Sequence, residues 1–332
     1  MVDNRVNTSE IRLPRSDCMY QIGVDIGGTN IKIGLVDDAL EIVSRISIPF
    51  PHLDGAQVAE RIAAECHKLL ALKGLTEDSL DSVGVIVPGS IDSTGAIVLN
   101  AYNLGFHNVP LKELLQSHFK KVPVFLANDA DGACLAELGK GAFRGCQTAV
   151  LFTLGTGVGG GLIFGGKMFN GGKRQGVELG HMPLVAGGLP CSCGNLGCIE
   201  AYCSASALGR AGAKAMAEHP KSLLFAKSNG DPSAIDAKLV VDCAKEGDKT
   251  ALAVFNSYID YLGSACIAMI HLFDPEVIAM GGGLCHAGEF LFAPLRENVA
   301  KKCFYGDFAK IVPAVMGNDA GIIGAAMLGS NA

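Results

Sequence analysis

YQIGVDIGGTNIKIGLVDDALEIVSRISI, residues 20–48, reads as an apolar strand, a Gly-Gly turn, an alternating strand through Ile31, Ile33 and Leu35, a turn at Asp37 and Asp38, and a third strand. Such a β-meander opens a sheet. Beyond it Val58, Ile62, Cys66, Leu69 and Leu70 fall on one helical face, Gly74 ends that helix, and SVGVIVPG is a short buried strand stopped at Pro88. LKELLQSHF and VPVFLA add a helix and a strand, completing the order βββαβα. The pattern then restarts: TAVLFTLGTGVGGGLIFGGKMF is a second strand, glycine-rich turn and strand, and a helix over 250–272, the strand VIAM and the turn Gly281, Gly282, Gly283 complete a second unit. The expected fold is therefore α/β, with duplicated βββαβα units and mixed sheets.

Three segments are expected. Residues 1–19 form a flexible leader, and 20–127 form a small α/β domain rejoined by 318–332, because NDAGIIGAAML is apolar nearly all round and must be buried. Residues 128–317 form a larger domain, decorated by a helical insertion over 204–248.

The 332 residues are 49% hydrophobic and 18% charged, which excludes a disordered chain. A net charge of −6 argues against a large basic surface, so no nucleic-acid partner is expected and a small molecule is the better prior. No apolar run approaches the ~18 residues of a membrane span, and the leader, with Arg5, Arg12 and Arg15, lacks the apolar centre of a secretory signal. Nine of the 12 cysteines are scattered singly; Cys66, Cys134, Cys266 and Cys285 read as buried thiols in a reducing, cytoplasmic setting. Glycine, at 43 residues, is close to double its usual share of ~7% and clusters in particular turns.

Those turns carry the candidate chemistry. Asp25, Gly27, Gly28, Thr29 and Asn30 lie between two strands, where tight backbone can point N–H groups at phosphate oxygens and Asp25 can hold a hydrated Mg²⁺. Alone, a Gly-Gly hairpin is usually just a hairpin turn. Gly155, Thr156 and Gly157 occupy the equivalent place in the second half, and two such loops can grip one polyphosphate. His181, Cys191, Cys193 and Cys198 offer one imidazole and three thiolates at a spacing that can close a tetrahedral zinc site; the alternative is a reduced cysteine cluster. Four protein ligands leave no open position, so such a zinc is structural. Asn128 and Asp129 follow a strand and start a helix, a capping pair whose carboxylate the helix dipole keeps ionised.

The paired loops resemble the sugar kinase, actin and heat-shock ATPase superfamily. More narrowly, Gly176-Val177-Glu178-Leu179-Gly180-His181, followed by Cys191-x-Cys193-Gly194-Asn195-x-Gly197-Cys198-x-Glu200, resembles the signature of the ROK family of bacterial sugar kinases and repressors. Asn103-Leu104-Gly105-Phe106, Asn128-Asp129, Phe273-Asp274-Pro275-Glu276 and Gly317-Asn318-Asp319-Ala320-Gly321 are most similar to that family's glucokinases, from about Tyr20 to the C-terminus. The resemblance implies an actin-like, hexokinase-like (ribonuclease H-like) two-domain ATPase fold with a central cleft that closes over its substrates. It implies ATP, Mg²⁺ and structural zinc as cofactors, a hexose substrate and a homodimer. It makes Asp129 the catalytic base, sets Pro88, Gly89, Asn103, Asn128, Glu178, His181 and Glu200 around the sugar, with the zinc loop 181–200 presenting the last three, and makes Gly281, Gly282 and Gly283 the adenosine turn. Glucose 6-phosphate is the expected product. Kinases for N-acetylmannosamine or allose and a sugar-binding regulator without catalysis are the alternatives; a repressor is discounted because the leader shows no helical apolar period.

Overall fold

The computed structural model describes residues 19–173 and 176–331, so the leader read over 1–19 lies outside the described residues but for Met19. The chain divides into two compact units, one of residues up to 132 together with 321 onward, the other of 133–320.

The first unit runs β1 (Tyr20–Ile26), β2 (Asn30–Val36), β3 (Ile42–Pro49), α1 (Gly55–Ala71), β4 (Leu80–Val87), β5 (Ser90–Ile91), β6 (Val98–Ala101), β7 (Phe106–Val109), α2 (Leu111–Gln116), β8 (Val124–Asn128) and the start of α3 (Asp129–Lys140). Its main sheet has the order β3-β2-β1-β4-β8, with the meander antiparallel and β1, β4 and β8 parallel. The alternation read in the meander has a direct outcome: Ile22, Val24, Ile33 and Leu35 are fully buried on one face, in one core with Val58, Ile62, Cys66, Leu69 and Leu70 of α1. Asp54 caps α1 by accepting from the Gln57 amide at 2.9 Å.

The opposite face explains the buried C-terminal helix. Gly34, Gly23 and Gly84 stand in register across β2, β1 and β4. A Cβ on Gly34 would strike the Ile322 side chain, and on Gly23 or Gly84 the backbone carbonyl of Ile322 or Ala325. The last helix therefore lies directly on sheet backbone, an approach that any side chain in this row would block.

Between β4 and α2 the structure departs from the sequence reading, which placed no strands there. β5, β6 and β7 form a separate three-stranded sheet carrying buried Val98, Ala101 and Phe106. Strands of two to four residues are too short for an alternation to be read.

The second unit continues α3 and adds β9 (Thr148–Leu154), β10 (Val158–Phe164), β11 (Lys167–Met168), α4 (Ile199–Cys203), α5 (Ala205–Glu218), α6 (Leu223–Ser228), α7 (Ala237–Lys245), α8 (Lys249–Phe273), β12 (Val277–Gly281), α9 (Glu289–Lys302) and β13 (Lys310–Pro313); α10 (Ala320–Ala326) leads back to the first. Its sheet order, β11-β10-β9-β12-β13, repeats the first: an antiparallel meander, then two strands parallel to its opening strand. The insertion expected over 204–248 is α5 to α7, capped by Ser204, Ser222 and Asp236. Helix α8 is long and apolar enough to cross a membrane, yet half of its most apolar window is buried, with Phe255, Ile259, Leu262, Cys266 and Ile270 in the core. Cys66, Cys134 and Cys266 are buried as read; Cys285 is only partly so, because it sits in the short turn after β12, where its thiol donates to the Gly281 carbonyl at 3.3 Å.

Candidate functional site

Parallel strands end at one edge, and that edge collects the first unit's candidates. Asp25 pairs in register with Ile86 and Ile86 with Ala127, so Asp25, the Pro88-Gly89 turn after β4, and Asn128-Asp129 at the end of β8 emerge side by side. The β1–β2 turn is closed at the same edge by the Gly27 amide on the Asn30 carbonyl, 2.8 Å. Gly28 has room for a Cβ only 3.4 Å from that of Asn103, which lies between β6 and β7. Asn128 accepts from the Asp131 amide at 2.6 Å, so the capping role falls to Asn128 and Asp129 opens the helix. Asp25 is largely desolvated, which pushes its carboxyl above the ordinary 3.8, and Lys32 at 3.5 Å pulls it part of the way back. A partly buried carboxylate with incomplete compensation is suited to a hydrated cation.

In the second unit Gly155, Thr156 and Gly157 follow β9, and Gly281, Gly282 and Gly283 end and follow β12; Thr153 and Gly281 are register partners, so both turns share an edge. Gly282, at φ +94°, lies against the Leu154 carbonyl, where a side chain has no place. Glu178 precedes a short turn, Leu179–His181, held to β10 by the close approach of Gly180 to the Val158 carbonyl. Glu200, read as a loop residue, instead lies in the first turn of α4. One carboxylate oxygen accepts from the Val158 amide at 3.1 Å and abuts Gly157; the other accepts from the Ser192 hydroxyl at 2.5 Å. Glu200 thus joins the glycine turn at 155–157 to the cysteine loop.

That loop brings its four donors together. The ligand atoms of His181, Cys191, Cys193 and Cys198 lie within 4.8 Å of one another. Zn–S bonds of about 2.3 Å and Zn–N bonds of about 2.05 Å at the tetrahedral angle require S···S near 3.8 Å and S···N near 3.6 Å. Cys193 and Cys198 are 3.7 Å apart, and Cys191 is 3.6 Å from Nδ1 of His181. The Asn195 amide holds the Cys193 thiol below its ordinary range, whereas burial and the neighbouring thiols push Cys198 up to about 12. One imidazole and three sulfur donors at these separations fit zinc.

The ROK family sequence model matches residues 21–332. The chain belongs to the ROK family. Among its ROK relatives, a glucokinase of Thermotoga maritima is 38% identical over 311 residues, 92% of this chain and 96% of the relative. A glucokinase of Halalkalibacterium halodurans is 36% identical over 317 residues, 94% and 95% of the two chains. A ROK glucokinase of Streptomyces griseus, solved with glucose and AMPPNP, matches with a TM-score of 0.73 and 32% identity, covering 93% of this chain and 98% of that one. The fold is accordingly the hexokinase-like fold of ROK sugar kinases.

Two polar contacts of this ROK chain escaped the sequence reading. The partner of Asp25 was accessible, since a hairpin turning through Gly27, Gly28 and Thr29 sets Lys32 opposite Asp25. Ser192 carried no signal: a serine between two cysteines reads as spacer, and only the folded loop turns it to Glu200.

Proposed function

We propose that this protein is an ATP-dependent glucokinase, transferring the γ-phosphoryl group of ATP to the 6-hydroxyl of glucose. The observation that carries the reading is the shared edge of β1, β4 and β8, where Asp25, the Gly27-Gly28 turn, Pro88-Gly89, Asn103, Asn128 and Asp129 converge. Glucokinase relatives, one of them solved with glucose and an ATP analogue, support the choice of sugar and nucleotide.

In this reading Asp129 takes the proton of the 6-hydroxyl as that oxygen attacks the γ-phosphorus in line, and the bond to the β-phosphate oxygen breaks to release ADP. The amides of Gly27, Gly28 and Thr29 and of Gly155, Thr156 and Gly157 meet phosphate oxygens, and Gly281, Gly282 and Gly283 receive the adenosine. Asp25 would hold the hydration shell of a magnesium ion bound with the nucleotide, which would supply neutralisation of phosphate charge. Asn103, Asn128, Glu178, His181 and Glu200 pair the sugar hydroxyls, because each buried hydroxyl left unpaired costs about 1–3 kcal/mol. Zinc on His181, Cys191, Cys193 and Cys198 supplies cross-linking and no catalytic chemistry. A coupled kinase assay over a hexose panel tests the reading: glucose is expected to lead N-acetylmannosamine and allose by at least about tenfold in kcat/KM, roughly 1.4 kcal/mol. A better rate with either rival overturns the choice of sugar, and no turnover of any hexose overturns the kinase.

A further inference from the structure

The chain passes between its units twice, at 132–133 inside α3 and at 320–321 at the start of α10. Glu137 stands a little over one turn beyond the first crossing. It is only 1% exposed, a carboxylate in a position that costs heavily unless every lone pair is used. One oxygen accepts from the amides of Val315 at 2.8 Å and Met316 at 2.9 Å; the other accepts from the Ala142 amide at 2.7 Å. Val315 and Met316 belong to no helix or strand, and they precede the second crossing by only a few residues. On the other side of the boundary the same two segments meet again, since Gly324 of α10 lies against the Gly132 carbonyl of α3 with no room for a Cβ. The two connections are therefore joined on both sides of the place where the chain changes unit.

What each connection carries gives the tie its meaning. Helix α3 begins with Asp129, eight residues before Glu137, about 12 Å along a continuous helix. The segment after Met316 runs to Gly321, whose Cα lies against the Asp25 carboxylate. We propose that Glu137 is a positioning residue for phosphoryl transfer: by holding Val315 and Met316 to α3 it keeps the helix that opens with Asp129 and the segment that leads to Gly321, against Asp25, from shifting independently as the enzyme cycles. The proposal rests on the kinase reading above.

Glutamine at 137 keeps the shape but presents an amide N–H₂ to backbone donors on one side, so one set of these bonds must break. Hydrogen exchange of the wild-type protein tests the tie without any substitution. The Val315 and Met316 amides should exchange as slowly as the interior of α3, although they lie outside regular structure; exchange at open-loop rates overturns the proposal. In Glu137→Gln they should exchange at least tenfold faster, with α8 unchanged. Per glucose site counted by calorimetric titration, kcat should fall at least tenfold, with the glucose dissociation constant within threefold of wild type. A kcat per site within twofold of wild type, or equal losses in kcat and glucose binding, refutes a positioning role. A wild-type protein that phosphorylates no hexose overturns the kinase reading through a separate measurement, while amide exchange still reports on the tie.

Discussion

Replacing Glu200 by glutamine and by alanine separates the two roles proposed for its carboxylate, sugar acceptor and support of the glycine turn at 155–157. Its oxygens serve the Val158 amide, a buried residue's donor beside the 155–157 turn, and the Ser192 hydroxyl in the cysteine loop. Glutamine can still offer its carbonyl to Val158 while its N–H₂ donates to Ser192, whose hydroxyl rotates to accept. Only the charge is lost, so bonds of the stronger, charge-assisted kind become ordinary ones at about 1 kcal/mol each. Glu200→Gln should therefore raise the glucose KM about tenfold and leave the ATP KM within about twofold. Alanine orphans the Val158 amide at a cost of about 1–3 kcal/mol, and removes a sugar acceptor worth about 1.5–3 kcal/mol. Their sum, about 2.5–6 kcal/mol, corresponds to roughly 10²- to 10⁴-fold in kcat/KM, and the part belonging to the glycine turn must appear against ATP. The assay is steady-state kinetics coupled to glucose 6-phosphate oxidation, with each substrate varied at saturation of the other. An alanine variant whose ATP KM stays within twofold of wild type refutes the idea that Glu200 supports the phosphate turn.

Asp129→Asn keeps the Asn128 cap and should bind glucose normally by calorimetry, while kcat falls at least ~10²-fold; activity within a few-fold of wild type removes Asp129 as the base. Metal analysis of protein purified without added zinc should find one zinc per chain, and Cys193→Ser should lose it together with glucose affinity; a wild-type chain with only a trace of zinc rejects the site. Asp25→Asn should abolish most activity, by about 10²-fold or more, yet raise thermal stability at neutral pH. The sign follows from the raised carboxyl of Asp25: ionising it costs the folded state nothing below its unfolded value of 3.8, and the full cost is present once pH passes the folded value. The stability difference should accordingly vanish below about pH 4 on a pH series of melting temperatures, and a variant less stable at pH 7 contradicts the burial argument.

Most of the scaffold was legible because its signals are local. The meander at 20–48 announces itself by alternation, and α1 and α8 by apolar spacing, and each sheet closes in the order that such a start allows. The donors at 181–198 were legible because zinc chemistry restricts residue type and spacing together. What stayed hidden depends on distant partners. Glu137 finds its donors at Val315 and Met316, which no periodicity in α3 could indicate. The glycines at 23, 34 and 84 look like weak points in three strands until α10 is seen lying on them.

The cysteine loop has a shape that the proposed zinc would help to hold. None of residues 182–196 is buried and, although Met182, Leu184 and Val185 pack partly against the core, the stretch 186–196 has little apolar contact with which to hold a fixed shape. Backbone bonds such as the Cys191 amide on the Asn195 carbonyl, 2.9 Å, and the Leu184 amide on that of Gly197, 2.7 Å, shape the loop but stay close to solvent. Structural zinc contributes about 10–16 kcal/mol in small zinc-dependent peptides, far more than a few exposed hydrogen bonds. Two of its proposed ligands, His181 and Cys198, lie three residues after Glu178 and two before Glu200, so the metal would fix both carboxylates by the shortest covalent path available. On this argument a bound zinc would act on the sugar side of the proposed reaction, and it would reach the 155–158 turn through the bond from Glu200 to Val158 and the packing of Gly180 on the Val158 carbonyl.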